Sequence, residues 1–282
     1  MRFLFYHSSM QSGGAERNIS LLSDYLTAQG DEVTIVTMDG RPPFYTLRLG
    51  VRHIALNTAR TSKGKIDAIK NCFLAMQAVR RTFLAVRPDV VVCFQPNTLL
   101  FSWLVRGSMN YRIIGSERAN PYLWTDGFWN KAKQYISLCA DGYIFQTAGA
   151  QSYYPEKTKA KSIVLGNMLQ PEVFETAEIP WGERNNICAV GRMSEEKRFD
   201  DLLRAVAIVL KKHPNICLDL YGDGPLRKHL EDLCTELGIE GAVRFCGRNN
   251  QINNEYAKHK IFVMTSESEG MPNVLMEAMA SG

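Results

Sequence analysis

The 282-residue sequence has no Cys-x-x-Cys pair, and its seven cysteines (Cys72, Cys93, Cys139, Cys188, Cys217, Cys234 and Cys246) are an odd, scattered set. That excludes a disulfide framework or a zinc module and points to a reducing compartment. No Asp-x-Asp pair occurs, and no His, Cys or carboxylate cluster has ligand spacing, so no metal or other cofactor is expected. Neither Gly-x-Gly-x-x-Gly nor a Lys-bearing phosphate loop is present, which argues against a dinucleotide enzyme or a nucleotide triphosphatase. Long apolar runs are missing too. The longest uncharged stretch, Val90 to Val105, is broken by Gln95, Pro96 and Asn97 and falls short of the roughly 18 apolar residues of a membrane span. Only Phe3 to Tyr6 precede the polar His7-Ser8-Ser9, so no secretory signal is read and a cytoplasmic protein is expected. Helix-turn-helix and aromatic RNA-binding patterns are likewise absent, so nucleic acid is not expected as a partner.

What is there is a globular composition, 45% hydrophobic and 22% charged. The net charge of +4 hides an asymmetry: residues 1–165 hold 20 Lys and Arg against 11 Asp and Glu, whereas residues 166–282 hold 13 against 18. Between Asp39 and Asp67 no acid intervenes while Arg41, Arg48, Arg52, Arg60, Lys63 and Lys65 accumulate near Phe44 and Tyr45. Two readings stand side by side, a solvated basic loop and a patch drawn to anionic lipid headgroups at about 1 kcal/mol per basic residue.

Apolar runs with the look of buried parallel strands alternate with stretches of helical period, the pattern of an α/β protein. Strands are expected at Arg2–Tyr6, Glu32–Met38, Val51–Leu56, Val90–Phe94, Arg112–Ser116 and Tyr143–Gln146, with helices at Ala15–Gln29, Ala68–Val86 and Phe128–Cys139. The pattern stops near Gly166-Asn167, and a segment with Pro171, Pro180 and several Glu follows. It restarts with strands at Asn186–Val190, Ile216–Tyr221, Val243–Phe245 and Ile261–Met264 and helices at Phe199–Lys211 and Leu226–Leu237. The expected division is a first domain over 1–165, a linker over 166–184 and a second domain over 185–282. The second alternation ends at Ala280-Ser281-Gly282 with fewer strands than the first, and reads as a truncated sheet.

In open α/β sheets ligands sit beyond the carboxyl ends of the strands, so chemistry belongs in the loops that follow strands. The first is Gly13-Gly14-Ala15-Glu16-Arg17, two glycines opening a helix, as a tight turn or a close ligand approach both require. In the second half Gly191-Arg192 and Lys197 place two cations after a strand, where they suit a diphosphate or pair with Glu195 or Glu196. Gly222-Asp223-Gly224-Pro225-Leu226 reads as a structural turn. Ser268-Glu269-Gly270-Met271-Pro272 leads into a helix with Pro272 at its first position, leaving the amides of Asn273, Val274 and Leu275 for an anion. Glu269 before that helix and Glu277 within it suit sugar hydroxyls at two points along one ligand, against a solvated acidic face as the alternative.

Together Gly13-Gly14-Ala15-Glu16-Arg17, Gly191-Arg192 with Lys197, Gly222-Asp223-Gly224-Pro225-Leu226 and the Glu269…Glu277 spacing resemble the retaining GT-B glycosyltransferases of family 4, in order along the whole chain. Ser116-Glu117-Arg118 with Asn120-Pro121 resembles a subgroup acting on lipid-linked or surface glycans. The resemblance implies two Rossmann-like domains facing across a cleft, the second one incomplete here, and a transferase that moves a sugar from a nucleotide donor, a UDP-sugar, to a glycan or polyprenyl-linked acceptor with retention. It implies that Arg192 and Lys197 hold the donor diphosphate, Glu277 the ribose and Glu269 the transferred sugar, with Gly14, Phe245, Gly270, Asn273, Val274 and Leu275 also on the donor. Gly13, Glu16, Gln95, Asn97, Glu117 and Arg118 fall on the acceptor side. Groups aimed at the departing diphosphate bind the transition state better than the ground state, a role for Arg192, Lys197 and the helix start at Pro272. Glu269 is the third residue assigned to catalysis, as an anchor for the sugar hydroxyls rather than as a nucleophile. In that family the leaving phosphate is held to assist deprotonation of the acceptor. Many relatives carry a His after the fourth strand; here the chain reads Cys93-Phe94-Gln95-Pro96-Asn97, leaving Gln95 or Asn97 to donate in its place. The alternatives are a nucleotide-sugar epimerase of similar fold and a non-catalytic fragment that binds nucleotide sugar or membrane. The basic first domain suggests peripheral contact with the inner face of a membrane.

Overall fold

The computed structural model describes residues 1–11, 13–59, 61, 63–124, 128–169, 171–175, 179–249 and 251–282. The chain divides into two units, Met1–Met168 and Leu169–Gly282. The first runs β1 (Arg2–His7), α1 (Gly14–Ala28), β2 (Glu32–Thr37), β3 (Arg52–Ala55), α2 (Lys65–Val86), β4 (Val90–Cys93) and α3 (Pro96–Arg106). It continues through β5 (Arg112–Glu117), α4 (Phe128–Ser137), β6 (Gly142–Phe145), α5 (Ala148–Ser152), α6 (Glu156–Lys159) and β7 (Ser162–Val164). All seven strands are parallel, in the order β3-β2-β1-β4-β5-β6-β7. The order reverses between β1 and β4, which marks the crevice for a ligand.

Strand β1 forms because its apolar residues are covered on both faces: Leu4, Phe5 and Tyr6 are fully buried. Leu4 and Tyr6 join Val79 and Phe83 of α2, while Phe5 joins Ile19 of α1 and Val92 and Phe94 at β4. Each such side chain contributes about 1.5–3 kcal/mol by leaving water.

The second unit runs β8 (Asn185–Val190), α7 (Phe199–Leu210), β9 (Leu218–Tyr221), α8 (Arg227–Leu237), β10 (Val243–Gly247), α9 (Asn253–Tyr256), β11 (His259–Phe262) and α10 (Asn273–Ala280). Its four strands are parallel in the order β10-β9-β8-β11, with the reversal between β8 and β11. Ala189, Leu218 and Leu220 pack on Leu203 and Val206 of α7 and Leu230 and Leu233 of α8. The short turns Pro171–Glu175 and Trp181–Glu183, within the segment read as a linker, lie in this unit.

Two sequence expectations need correction. The strand expected at Ile261–Met264 begins two residues earlier, at His259, because that polar residue is buried and bonded to Asp219 and to the Glu255 carbonyl. Apolar runs do not reveal a strand that opens on a partnered histidine. Pro272 caps α10 rather than starting it, in extended backbone with φ −74° and ψ 118°. Of the basic residues named in the 39–67 stretch, Arg60 lies outside the described residues.

Candidate functional site

In the second unit the sequence-flagged residues, Phe245 on β10 excepted, fall on the two loops flanking the β8/β11 reversal or on helix α10 that follows. Gly191, Arg192 and Lys197 follow β8; Glu269, Gly270 and the start of α10 follow β11. Three contacts tie the loops together. The Glu267 amide donates to the Glu196 carbonyl at 3.0 Å, and the Thr265 hydroxyl to the Lys197 carbonyl at 2.9 Å. Lys197 Nζ meets Glu269 Oε1 at 2.5 Å, joining residues 72 positions apart. Lys197 therefore pairs with Glu269, rather than with the adjacent Glu195 or Glu196. Arg192 is exposed; its carbonyl accepts the Ser194 amide at 2.9 Å and the Ser194 hydroxyl at 3.3 Å, while its guanidinium makes no hydrogen bond or ion pair among the described residues.

A third loop props up the first. Gly222 has φ +128°, and a methyl group there would lie 1.9 Å from the Gly191 carbonyl oxygen. One on Gly224 would lie 2.4 Å from the Met193 carbonyl oxygen. The Met193 amide donates to the Asp223 carbonyl at 3.1 Å. Asp223 turns its carboxylate onto the Gly224 amide at 2.8 Å. These glycines let two backbones touch, and thereby set the height of Arg192.

Glu277 is 1% exposed, with the Tyr256 hydroxyl donating to its Oε2 at 3.2 Å. The solvated-face alternative does not hold for it. Asn273 is buried at the first turn of α10, whereas Val274 and Leu275 are half-buried. Phe245 lies on β10 with the Arg227 guanidinium 5.9 Å from its ring centre.

In the first unit Gly13, Gly14, Glu16, Gln95 and Asn97 follow the two strands at the reversal, while Glu117 and Arg118 lie at the end of β5, one strand further along. Gly14 is exposed at the start of α1, and the Gly13 carbonyl accepts from Tyr45 at 3.2 Å. Glu16 folds back over Gly13, so that a methyl group there would lie 2.2 Å from Glu16 Oε2. Its other oxygen lies 3.3 Å from His7 Nε2. Gln95 caps α3 and its carbonyl accepts from Thr98 Oγ1 at 2.9 Å; Asn97 uses its side-chain oxygen on the Thr98 amide, also at 2.9 Å.

Glu117 is 6% exposed and fully engaged. Its Oε1 accepts the amides of Arg118 and Ala119 at 3.1 Å, and its Oε2 takes the Tyr154 hydroxyl and pairs with Lys133 at 2.5 Å. It holds the turn that presents Arg118. Arg118 donates to Asn167 at 2.8 Å and lies 5.1 Å from the Phe94 ring centre, and burial pulls its guanidinium down to about 10.

Sequence reasoning passed over His7. It is 2% exposed at the end of β1, with its ring 6.0 Å from that of Phe94, one strand away. The available signal was a polar residue directly following an apolar strand at the chain's first crossover. It brings an imidazole to the strand next to the one whose following loop holds Gln95.

Compared with known families, residues 12–156 match the model described as Glycosyltransferase Family 4, and residues 174–282 match Glycosyl transferases group 1. An uncharacterized glycosyltransferase of Haemophilus influenzae is 26% identical over 275 residues, 96% of this chain and 75% of that protein. A Campylobacter jejuni protein is 26% identical over 282 residues, 99% of this chain and 77% of its own length. It is named GalNAc-alpha-(1->4)-GalNAc-alpha-(1->3)-diNAcBac-PP-undecaprenol alpha-1,4-N-acetyl-D-galactosaminyltransferase. Among solved structures, sucrose-phosphate synthase from Thermosynechococcus elongatus matches with a TM-score of 0.81 at 16% identity, covering 100% of this chain and 79% of that one. Anabaena HepE in complex with UDP and glucose matches with a TM-score of 0.74 at 16% identity, covering 100% and 78%. At that identity the likeness is one of fold, the GT-B fold.

Proposed function

Because the chain belongs to glycosyltransferase family 4, we propose that it moves a hexosyl or N-acetylhexosaminyl group from a UDP-sugar to a glycan or polyprenyl-linked acceptor, retaining the anomeric configuration. Support for the donor comes from relatives: HepE has been solved with UDP and glucose and with UDP-glucose. Support for the acceptor comes from the name of the Campylobacter jejuni relative, which specifies an undecaprenol-linked glycan.

The observation that carries the reading is the 2.5 Å contact of Lys197 with Glu269 across the two loops at the β8/β11 reversal. In the proposed reaction Lys197 and Arg192 face the departing diphosphate, whose charge grows as the glycosidic bond breaks, and so favour the transition state. Glu269 orients Lys197 and takes the hydroxyls of the transferred sugar. The amide-bearing start of α10, from Asn273 to Leu275 with Gly270 before it, adds a second positive pole. Glu277 holds the ribose and Phe245 borders the base. On the acceptor side stand Gly13, Glu16, Gln95, Asn97, Glu117 and Arg118.

The reading includes work in the cytoplasm at the inner face of a membrane. Among the described residues no helix is long and apolar enough to cross a bilayer. Helix α2 buries Ala75, Val79 and Phe83, and on its outer side leaves Ile66, Ile69 and Phe73 exposed by 86%, 71% and 59%. Lys65, Lys70 and Arg81 are exposed on the same helix. Apolar side chains among cations suit the boundary of an anionic bilayer.

The test is Lys197→Ala, assayed for UDP release and for the sugar product. Removing one preorganised donor to developing charge costs about 10²–10³-fold in turnover. The pair is about one-fifth exposed on each side, and Lys197→Ala also leaves Glu269 without its partner, so thermal unfolding of the variant is followed beside turnover. Unchanged turnover in a folded variant sinks the assignment. A product in which the altered sugar remains on the nucleotide would identify an epimerase instead.

A further inference from the structure

At the carboxyl edge of the seven-stranded sheet, four neighbouring strands bring polar residues to one face. The register pairs Tyr6 with Cys93, Cys93 with Gly115 and Glu117 with Phe145. The side chains that follow on the α1 face are His7, Phe94, Ser116 with Arg118, and Gln146. Ring contacts link them: His7 to Phe94 at 6.0 Å and the Arg118 guanidinium to Phe94 at 5.1 Å. Asn167, beyond β7, accepts from both Arg118 Nη1 at 2.8 Å and Gln146 Nε2 at 2.6 Å.

This edge is under-bonded. Ten buried side-chain nitrogen or oxygen atoms among the described residues lack a partner, and five are here: His7 Nδ1, Gln95 Oε1, Ser116 Oγ, Arg118 Nε and Gln146 Oε1. Native proteins keep few such atoms because each is costly, so a cluster asks for a ligand. His7, Ser116 and Gln146 are 2%, 3% and 6% exposed, so bulk water does not satisfy them. Arg118 carries a charge that no carboxylate among the described residues pairs with, since Glu117, its neighbour in sequence, is taken by Lys133 and Tyr154. Burial has lowered its affinity for the proton, as befits a cation waiting for a counter-ion.

We propose that Arg118, with Ser116 and His7 beside it, forms an oxyanion subsite that selects an acceptor bearing a phosphoryl or carboxylate group. Naming the ligand an acceptor rests on the transferase reading, because the donor diphosphate is assigned to the other unit; the anion site itself does not. The guanidinium fork matches either group through two parallel hydrogen bonds, and a neutral sugar leaves the charge unanswered. Acceptor choice then depends on charge, with the edge of the first sheet rejecting neutral glycans.

The experiment titrates the whole chain, by NMR, with methyl phosphate, methyl glucuronide and neutral methyl glucoside, and separately with UDP. Wild type, Arg118→Gln and Arg118→Lys are compared. The expected result is that one charged probe binds wild type at least tenfold more tightly than methyl glucoside and shifts the Arg118 Nε–H signal. Arg118→Gln loses that preference, Arg118→Lys keeps part of it, and UDP binding is the same in all three. Which charged probe wins tells a phosphoryl-bearing acceptor from an acidic sugar. The proposal is overturned if neither charged probe outbinds the glucoside, or if Arg118→Gln binds it as well as wild type does. Should Arg118→Gln not fold, the probe-induced shift at Arg118 and the Lys variant still decide. Failure of UDP to bind wild type, with the charged probe still seated on Arg118, removes the transferase reading and leaves the subsite.

Discussion

Replacing Gly222 by alanine tests whether the Arg192 loop is held by backbone contact. The new methyl group would lie 1.9 Å from the Gly191 oxygen, and real contacts of this kind do not fall below 3.0 Å, so one of the two loops must retreat by more than an ångström. The residue also keeps φ +128°, a region costing an L-residue about 1–3 kcal/mol. Overpacking against main chain adds about 1–3 kcal/mol, giving about 2–6 kcal/mol for the substitution. Retreat also strains the Gly222 amide's bond to Gly247 at 2.7 Å and the Gly191 amide's bond to Tyr221 at 3.0 Å. Hydrogen exchange of β8 and β9 amides through a urea series reads the second unit alone, and UDP titration reads the loop. Both the exchange midpoint and UDP affinity are expected to fall. Gly241→Ala, with open space and no positive φ, is the control and stays within about 0.5 kcal/mol. If Gly222→Ala exchanges and binds UDP as wild type does, the loops do not support one another and the reasoning is wrong.

Asp219 supplies a pH test: burial pushes its carboxyl up, but bonds from Arg244 and His259 outweigh that and hold it below its ordinary value. Its stabilisation is therefore complete above about pH 4 and disappears as pH falls through the lowered value, so Asp219→Asn flattens the acid limb of a thermal-unfolding series and lowers stability at pH 7. Glu117→Gln strips Lys133 of its partner in a pair whose side chains are 7% and 17% exposed, and is expected to cost about 3–5 kcal/mol in urea unfolding of the first unit. A cost near zero would mean Glu117 does not anchor the Arg118 turn. The double substitution Ile69→Asp with Phe73→Asp removes two apolar groups, each worth about 1.5–3 kcal/mol when buried, and is expected to lower flotation with anionic vesicles more than tenfold while leaving UDP binding intact. Undiminished flotation would move the membrane contact away from α2.

The alternation of buried strands with amphipathic helices is written locally, because a strand covered on both faces needs an unbroken apolar run and a packed helix needs one stripe. Val90–Cys93 and Phe199–Leu210 are therefore legible from the residues alone. So are the glycines that end β8 and β9 and the cations after β8, since loops that follow strands are recognisable by composition. The start of β11 at His259 is not, because the strand begins where a histidine finds Asp219, 40 positions back in the chain. Nor is the pairing of Lys197 with Glu269, the burial of Glu277 under Tyr256, or the row that runs from His7 to Gln146. Those depend on which strands lie side by side, and strand order is settled by packing between distant segments. Local composition specifies the layers, the glycine-lined turns and the residue types available for anion binding; which of them meet follows from the packing of distant segments, since hydrogen bonds and ion pairs act over about 3 Å while the partners lie tens of residues apart.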